Sequence, residues 1–175
     1  MKIRHASTAD CEAIASIYNH AVVHSAAIWT DHIVDSEERE SWMTQRQQAG
    51  YPVIVITDEQ DKVAGYASYG EWSAKEGYRF TVEHSVYVRH DFRGNGAGRL
   101  LMNELIALAV AQGLHVMVAA IESGNLASIK LHQSLGFTGE VRIPEVGTKF
   151  GRWLDLTFLH LPLEPLRAAS ASGDS

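Results

Sequence analysis

The stretch 85-SVYVRHDFRGNGAGRLLMNEL-105 constrains the fold of this chain more than any other. A β-like segment leads through three glycines at alternate positions into a run typical of a helix. Glycine loses more conformational entropy on folding than other residues, so this spacing indicates a backbone with a special task. The first N–H groups of a helix have no intrahelical acceptor, and the helix dipole favours an anion there. The stretch therefore predicts an anion site at a helix start, with a flexible surface turn as the alternative.

Two common nucleotide-binding motifs do not fit this glycine loop. A nucleoside-triphosphate P-loop requires Gly-Lys followed by Ser or Thr, and the segment has no Lys. The dinucleotide fingerprint requires G-x-G-x-x-G directly after a strand, with an acidic residue about 20 positions later. Here the spacing is G-x-G-x-G, and Leu114 and His115 occupy the expected acidic position. Arg93 and Arg99 bracket the loop, so a pyrophosphate-sized ligand of another kind fits it better.

The rest of the chain predicts one mixed α/β domain. A hairpin of β-forming runs over residues 53–70 is followed by the order strand, helix, strand, helix, strand. That order predicts a mixed sheet with helices on both faces. A chain of 175 residues can bury one sizeable core, and we expect a single domain over residues 1–165. The small polar residues of 167-RAASASGDS-175 predict a flexible tail over residues 166–175.

Composition and charge exclude several other classes of protein. A formal net charge of -6 disfavours a nucleic-acid-binding protein, and no apolar run reaches membrane-spanning length. The N-terminus lacks the apolar core of a signal peptide, and the lone Cys11 fits a reducing compartment. We therefore expect a cytoplasmic protein. His20 and His24 have a spacing that can bind Zn²⁺, but no HExxH or Cys cluster completes a site, so no metal is expected.

Several motifs together resemble one superfamily. The loop Arg93–Gly98 resembles the acyl-CoA pyrophosphate loop of GCN5-related N-acetyltransferases (GNAT), and 125-NLASIKLHQSLGF-137 resembles that superfamily's Asn, helix and Gly-Phe segment. The segments 28-IWTDHIVD-35, 76-EGYRFTVEHSVYV-88 and 146-VGTKFGRWLDLTFL-159 are similar to the branch that acetylates phosphinothricin and methionine sulfoximine. The resemblance implies the GNAT fold, a mixed α/β fold with a mostly antiparallel central sheet and helices on both faces. It also implies acetyl-CoA as co-substrate and a homodimer.

The resemblance also implies which residues bind ligands. The acetyl-CoA contacts would come from the strand, the loop and the later helix: Val86, Tyr87, Val88, Arg93, Gly94, Asn95, Gly96, Ala97, Gly98, Arg99, Asn125 and Ser134. The acceptor contacts would come from Trp29, Lys75, Glu76, Gly77, Tyr78 and Arg79. Arg79 is the first choice for the acceptor carboxylate. Asn125 can equally serve as the N-cap of its helix. This chain has Ser73 where members of the branch tend to carry Arg.

Glu83 and His132 are the candidate catalytic residues. An amine attacks a thioester only as the neutral base, and the departing thiolate takes up a proton. Glu83 is a carboxylate in the mostly apolar strand 81-TVEHSVY-87 and matches the family's base, with a structural ion pair to an Arg as the alternative. His132 stands where many members have a Tyr acid, and its imidazole can donate or relay a proton. His84 follows Glu83 in the strand, points to the opposite face and is expected to be structural.

These residues predict an N-acetyltransferase that acts by direct attack in a ternary complex. The acceptor would be the α-amine of a small amino acid or analogue, such as methionine sulfoximine, methionine sulfone or phosphinothricin. Two alternatives remain at this stage. One is an acyl-CoA-binding sensor module without turnover, and the other is an acetyltransferase that acts on proteins or peptides.

Overall fold

The computed structural model describes residues 1–172, with side chains through residue 168. Within that range seven strands alternate with five α-helices: β1 (Lys2–His5), α1 (Cys11–His24), α2 (Ser36–Gln48), β2 (Val53–Thr57), β3 (Val63–Glu71), β4 (Thr81–Val88), α3 (Ala97–Ala111), β5 (Val116–Glu122), α4 (Leu126–Ser134), β6 (Thr138–Lys149), β7 (Arg152–Pro162) and α5 (Glu164–Ser172). Three short 3₁₀ turns cover Thr8–Asp10, Glu76–Tyr78 and His90–Phe92. The strands pair mostly antiparallel, which confirms the predicted mixed α/β class.

The chain forms two compact units. The first comprises Met1–Tyr69 and Ser85–Met102, and its strands follow the order β1-β2-β3-β4. The β1–β2 and β2–β3 pairs are antiparallel. All five residues of β2 are buried, as its β-branched sequence Val-Ile-Val-Ile-Thr predicts. Ile14 and Ile17 of α1 join Val53, Val55 and other residues of this unit in its apolar core.

The first two helices begin in different ways. The Asp10 side chain does not cap α1 but accepts hydrogen bonds from the N–H of Ser7 and from the Arg4 guanidinium. A 3₁₀ turn with its own capping box therefore precedes α1. For α2 the cap is Asp35, whose carboxylate accepts from the N–H of Glu38, and the helix starts at the next residue.

The second unit comprises Gly70–His84 and the chain from Asn103 onward, with the strand order β4-β5-β7-β6. A parallel ladder joins Thr81–Glu83 to Val116–Val118, and the β5–β7 and β6–β7 pairs are antiparallel. Strand β6 runs from 138 to 149 with two breaks in register. Pro144 and Gly147 interrupt the alternating pattern, yet both are tolerated because β6 ends the strand order.

The C-terminal segment contains a helix. α5 occupies Glu164–Ser172 and so includes part of the segment 166–175 that we predicted as a flexible tail, whose flexibility stays a prediction. The buried Leu163 donates its N–H to the carbonyl of His115, and the Arg167 guanidinium donates to the carbonyl of Leu114 at 2.7 Å. These two bonds hold the helix against the preceding part of the chain. Composition alone does not reveal them. Residues 173–175 lie outside the described residues.

Candidate active site

Arg89, between the end of β4 and the glycine loop, fixes the start of that loop in the first unit. Arg89 follows the strand and donates its backbone N–H to the carbonyl of Ala64 at 2.8 Å. Its guanidinium donates to the carbonyl of Val63 and forms ion pairs with Asp91 and Asp58. The bond from Arg89 lowers the pKa of the Asp91 carboxyl. The loop therefore starts from a fixed point.

The glycine loop presents its backbone to solvent. Gly94 and Gly96 both have φ of +81°, a conformation that other L-residues rarely adopt, and a Cβ at either would meet nothing within 4 Å. Residues 93–96 are exposed, while the side chain of Ala97 is buried. The N–H of Leu100 donates to the carbonyl of Gly96, so the amides at the start of α3 precede the first intrahelical donor. This arrangement has the features of an anion site.

Three of the histidines in the loop's unit, His20, His24 and His90, lie close together. His20 stacks on His90 with ring centroids 4.3 Å apart and also contacts His24. Desolvation, His90, His24 and Arg93 all lower the pKa of His20. Among residues 1–172, no group of three or more His, Cys, Asp or Glu side chains is arranged to hold a metal ion. Nor does any helix in that range have the length and apolar character needed to cross a membrane.

In the second unit, Asn125 and Ser134 make bonds within α4. The Asn125 side chain accepts from the N–H of Ser128 at 3.2 Å, which confirms its predicted role as N-cap. The Ser134 hydroxyl donates to the carbonyl of Leu131 at 2.6 Å. The contacts of both residues with a cofactor stay predictions.

His132 is a buried residue of the last turn of α4, with 1% of its surface exposed. Its Nδ1 lies 2.7 Å from the carbonyl oxygen of Ser128, and its Nε2 lies 3.0 Å from Nε2 of His84. The two imidazole planes are within 12° of parallel, and Phe137 packs edge-on against both rings. We expected His84 to be structural from its place in the strand, and its contact with His132 was not predicted. The available signal was an imidazole in a mostly apolar strand.

Glu83 occupies the end of a strand ladder. It is half-buried and pairs with Val118 as the last residue of the parallel β4–β5 ladder. Successive side chains of a strand point to opposite faces, so Glu83 and His84 leave β4 on opposite sides. The structure thus brings His132 to His84, the strand neighbour of Glu83.

The candidate acceptor residues at 75–79 form an exposed 3₁₀ turn in the second unit. The Arg79 guanidinium donates to the carbonyl of Glu76 at 3.1 Å and lies over the ring of Phe80. Trp72 packs edge-on against Phe158 just before this turn. Lys75, Gly77 and Tyr78 are exposed. The turn therefore offers cationic and aromatic groups to solvent.

Trp29 belongs to the first unit and is half-buried. Its indole N–H donates to the carbonyl of Ala26 at 2.9 Å, which satisfies its donor and fixes the ring. Its place in an acceptor pocket stays a prediction.

Comparison with known proteins decides the family. Residues 14–137, more than half of the 175-residue chain, match the family described as "Acetyltransferase (GNAT) family". The chain belongs to the GNAT family of acetyltransferases. The family predicted from the glycine loop and the Gly-Phe segment is thus confirmed.

Relatives of this GNAT acetyltransferase also confirm the predicted branch. It is 56% identical over 171 residues to the L-methionine sulfoximine/L-methionine sulfone acetyltransferase of Salmonella typhimurium, a match that covers 98% of this chain and 99% of the relative. It is 36% identical to the phosphinothricin N-acetyltransferase of Alcaligenes faecalis, with 88% of this chain and 78% of the relative covered. A solved Salmonella typhimurium acetyltransferase with its cofactor acetyl-CoA has a TM-score of 0.91 at 57% identity, covering 93% and 94% of the chains. The fold predicted from the resemblance is confirmed.

The pair of His84 and His132 makes the stability of this acetyltransferase depend on pH. Burial, and next the proximity of His132, lower the pKa of His84 to about 3, and burial also lowers the pKa of His132. In the unfolded chain both have pKa values of about 6.5. A base whose pKa is lower in the folded state contributes stability that is fully present above about pH 6.5 and is lost as pH falls. We expect a loss of up to about 1.4 kcal/mol per pH unit for each histidine.

Urea unfolding between about pH 6.5 and about pH 4.5 measures this effect, because Asp and Glu titrate mostly below that range. His84→Gln is the matched variant, since it removes one titrating ring from the pair. It should show a shallower dependence of the unfolding free energy on pH than the wild type. Equal slopes for the two proteins would contradict the prediction.

Proposed function

We propose that this GNAT acetyltransferase transfers an acetyl group from acetyl-CoA to the α-amine of methionine sulfoximine, methionine sulfone or a phosphinothricin-type amino acid. The observation that carries the proposal is the glycine loop, whose exposed amides lie at the start of α3 with open space over Gly94 and Gly96. The 56% identity to an acetyltransferase of methionine sulfoximine and methionine sulfone supports the acceptor class.

The proposed acetyl-CoA site begins at the glycine loop. The amides of residues 94–98 bind the pyrophosphate, and the exposed Arg93 and Arg99 add positive charge. Ala97 contributes only its backbone, because its side chain is buried. The backbone of Val86–Val88 pairs with the pantetheine arm, and Asn125 and Ser134 contact other parts of the cofactor. The cap formed by Asn125 Oδ1 is compatible with this role, since its amide NH₂ is a separate donor.

Glu83 acts as the base in the proposed reaction. It accepts the proton that the acceptor's ammonium group loses, directly or through a water, and the free amine then attacks the thioester carbonyl. The N–C bond forms, the C–S bond breaks, and the thiolate of coenzyme A takes up one proton. His132 handles the proton that the thiolate takes up when the C–S bond breaks. The half-buried position of Glu83 supports a base shielded from bulk water.

The exposed turn at residues 75–79 recognises the acceptor in this proposal. Arg79 binds the carboxylate, because a guanidinium can form paired bonds with both oxygens. Lys75 adds a second cation, and Glu76, Gly77 and Tyr78 shape the turn. Trp29 contributes an aromatic surface to the side chain of the acceptor. The Arg79 bond to a carbonyl of its own turn holds the guanidinium in one region.

Thiol release from acetyl-CoA over a panel of acceptors tests the proposal. We expect turnover with methionine sulfoximine, methionine sulfone and phosphinothricin, and much lower kcat/KM with peptides that carry a free N-terminus. Binding of coenzyme A without thiol release for any acceptor would favour the sensor alternative. Preferred turnover of peptides would favour the protein acetyltransferase alternative. An acetylated enzyme with ping-pong kinetics would contradict direct attack.

We also propose that the acetyltransferase is a homodimer that pairs through the β6–β7 hairpin. That hairpin exposes a group of apolar side chains, of which Trp153 has 67% of its surface accessible: Val141, Ile143, Val146, Phe150 and Trp153. Exposed apolar patches rimmed by polar residues commonly mark an interface, and β6 ends the strand order of its unit. A second copy of the same chain covers such a patch by two-fold symmetry.

Replacing Trp153 with Lys is expected to convert the dimer to a monomer in sedimentation equilibrium, because it places a charge in the apolar patch. Val23→Lys is the control, since Val23 is an exposed apolar residue of α1, outside the hairpin. A wild-type protein that is monomeric, or a dimer unchanged by Trp153→Lys, would rule out this interface.

The compartment is proposed to be the cytoplasm. Cys11 is buried and forms no disulfide, which fits a reducing environment. Cell fractionation with an antibody to the protein measures this directly, and recovery in a secreted fraction would contradict it.

A further inference from the structure

We propose that His84 takes part in the proton transfers of acetyl transfer: its Nε2 contact with His132 joins the two rings into one unit that takes up and returns a single proton. This inference rests on the proposed function, in which His132 handles a proton of the reaction. It also reverses the structural role that we expected for His84 from its place in the strand.

The hydrogen bonds of the pair determine where its protons lie. The carbonyl oxygen of Ser128 can only accept, so the 2.7 Å contact requires a proton on His132 Nδ1. A neutral imidazole carries one proton, so Nε2 of His132 is then an acceptor. The 3.0 Å contact between the two Nε2 atoms therefore requires that His84 donates from its Nε2. In this resting state His132 has no Nε2 proton to give to a thiolate.

The remaining nitrogen of the pair is His84 Nδ1. In the resting state it carries a lone pair, and it is a buried atom for which the described residues provide no hydrogen-bond partner. A buried polar atom without a partner is costly, unless a ligand or water absent from the free protein supplies one. A water of the reacting complex therefore fits here. Glu83 takes the first proton of the ammonium group, and after attack on the thioester the nitrogen loses its second proton through this water.

A proton that arrives at His84 Nδ1 can be passed on within the pair. As Nδ1 gains a proton, the Nε2 proton of His84 moves to Nε2 of His132, and the positive charge moves with it. His132 lies in the last turn of α4 and donates to the Ser128 carbonyl, and both features favour a cation. The reverse movement returns the proton from His84 Nδ1 to the thiolate sulfur, through the same water, after the C–S bond breaks. Over one cycle the histidine pair therefore gains and loses one proton, with no net change.

The surroundings keep the resting pair neutral and ready to accept. Phe137 contacts both rings edge-on, and Val118 stands opposite Glu83 on the neighbouring strand β5. His132 on α4 acts electrostatically on His84, and Glu83 precedes His84 on β4. Desolvation lowers the pKa of both histidines, which favours the neutral pair.

The test compares His84→Gln and His84→Phe with the wild type. Gln retains an N–H donor toward His132 but cannot be protonated, whereas Phe retains an aromatic ring against Phe137 and removes the donor. We expect His84→Gln to lower kcat about tenfold and to flatten the pH dependence of kcat, with the KM for acetyl-CoA unchanged. His84→Phe should lower kcat at least as much. His115→Gln, at an exposed histidine of the same unit, is the control and should change neither quantity.

A kcat and a pH profile that are unchanged in His84→Gln would overturn the inference, because a folded enzyme would then work without a titrating ring at this position. ¹⁵N-imidazole NMR of the wild type gives a second readout that does not need turnover. The expected tautomers are Nδ1–H for His132 and Nε2–H for His84, and the opposite assignment would also overturn the inference. If the wild type shows no turnover but these tautomers are present, the proposed function is contradicted, while the hydrogen-bond arrangement of the pair stands.

Discussion

Replacing Glu83 with Gln is expected to lower kcat for acetyl transfer by about 10²- to 10⁴-fold, with little change in the affinity for acetyl-CoA. Gln has nearly the same shape as Glu but cannot accept the proton of the acceptor's ammonium group. The half-buried carboxylate at the end of the β4–β5 ladder is the proposed base. Steady-state kinetics with methionine sulfone, together with calorimetric binding of acetyl-CoA, separate the two effects.

The matched control for this prediction is Glu104→Gln. Glu104 is exposed on α3 in the same unit and carries no role in the proposed chemistry. It should leave kcat within about twofold of the wild type. The pH profile adds a second criterion, since the loss in Glu83→Gln should shrink at high pH, where the acceptor amine is already neutral. A loss below about tenfold at neutral pH would show that Glu83 is not the base.

Replacing Gly96 with Ala is expected to weaken acetyl-CoA binding about 5- to 30-fold, with a smaller effect on the saturated rate. A φ of +81° costs an L-residue about 1–2 kcal/mol, and the strained backbone turns its amides away from the pyrophosphate. The new Cβ meets no protein atom within 4 Å, so a clash inside the folded chain does not account for the loss. Calorimetric titration with acetyl-CoA measures the dissociation constant.

Gly50→Ala provides a closely matched control for the loop. Gly50 follows α2, has the same φ of +81°, and also has no atom within 4 Å of an added Cβ. Both substitutions should reduce the free energy of unfolding by about 1 kcal/mol, but only Gly96→Ala should raise the dissociation constant for acetyl-CoA. Equal effects on binding would mean that the loop does not hold the cofactor.

Local patterns in the sequence predicted most elements of the fold. The β-forming run of β2 and the glycine loop before α3 each depend on neighbours within a few residues. The extent of β6 has no clear pattern in the sequence, because Pro144 and Gly147 interrupt its alternation. The last helix was missed, because its anchors at Leu114 and His115 are distant in sequence. Such contacts leave no periodic signal.

The features of the candidate site likewise fall into those set by short sequence spacings and those set by contacts between distant residues. By itself, the sequence determined the family, and it predicted the glycine loop at a helix start and the candidate catalytic residues Glu83 and His132, because each depends on residue types at a short, ordered spacing. Only the tertiary structure decided that His84 meets His132, since 48 residues separate the two in the chain. The proton positions that we infer for the pair also depend on a tertiary contact, because a carbonyl can only accept from the ring beside it.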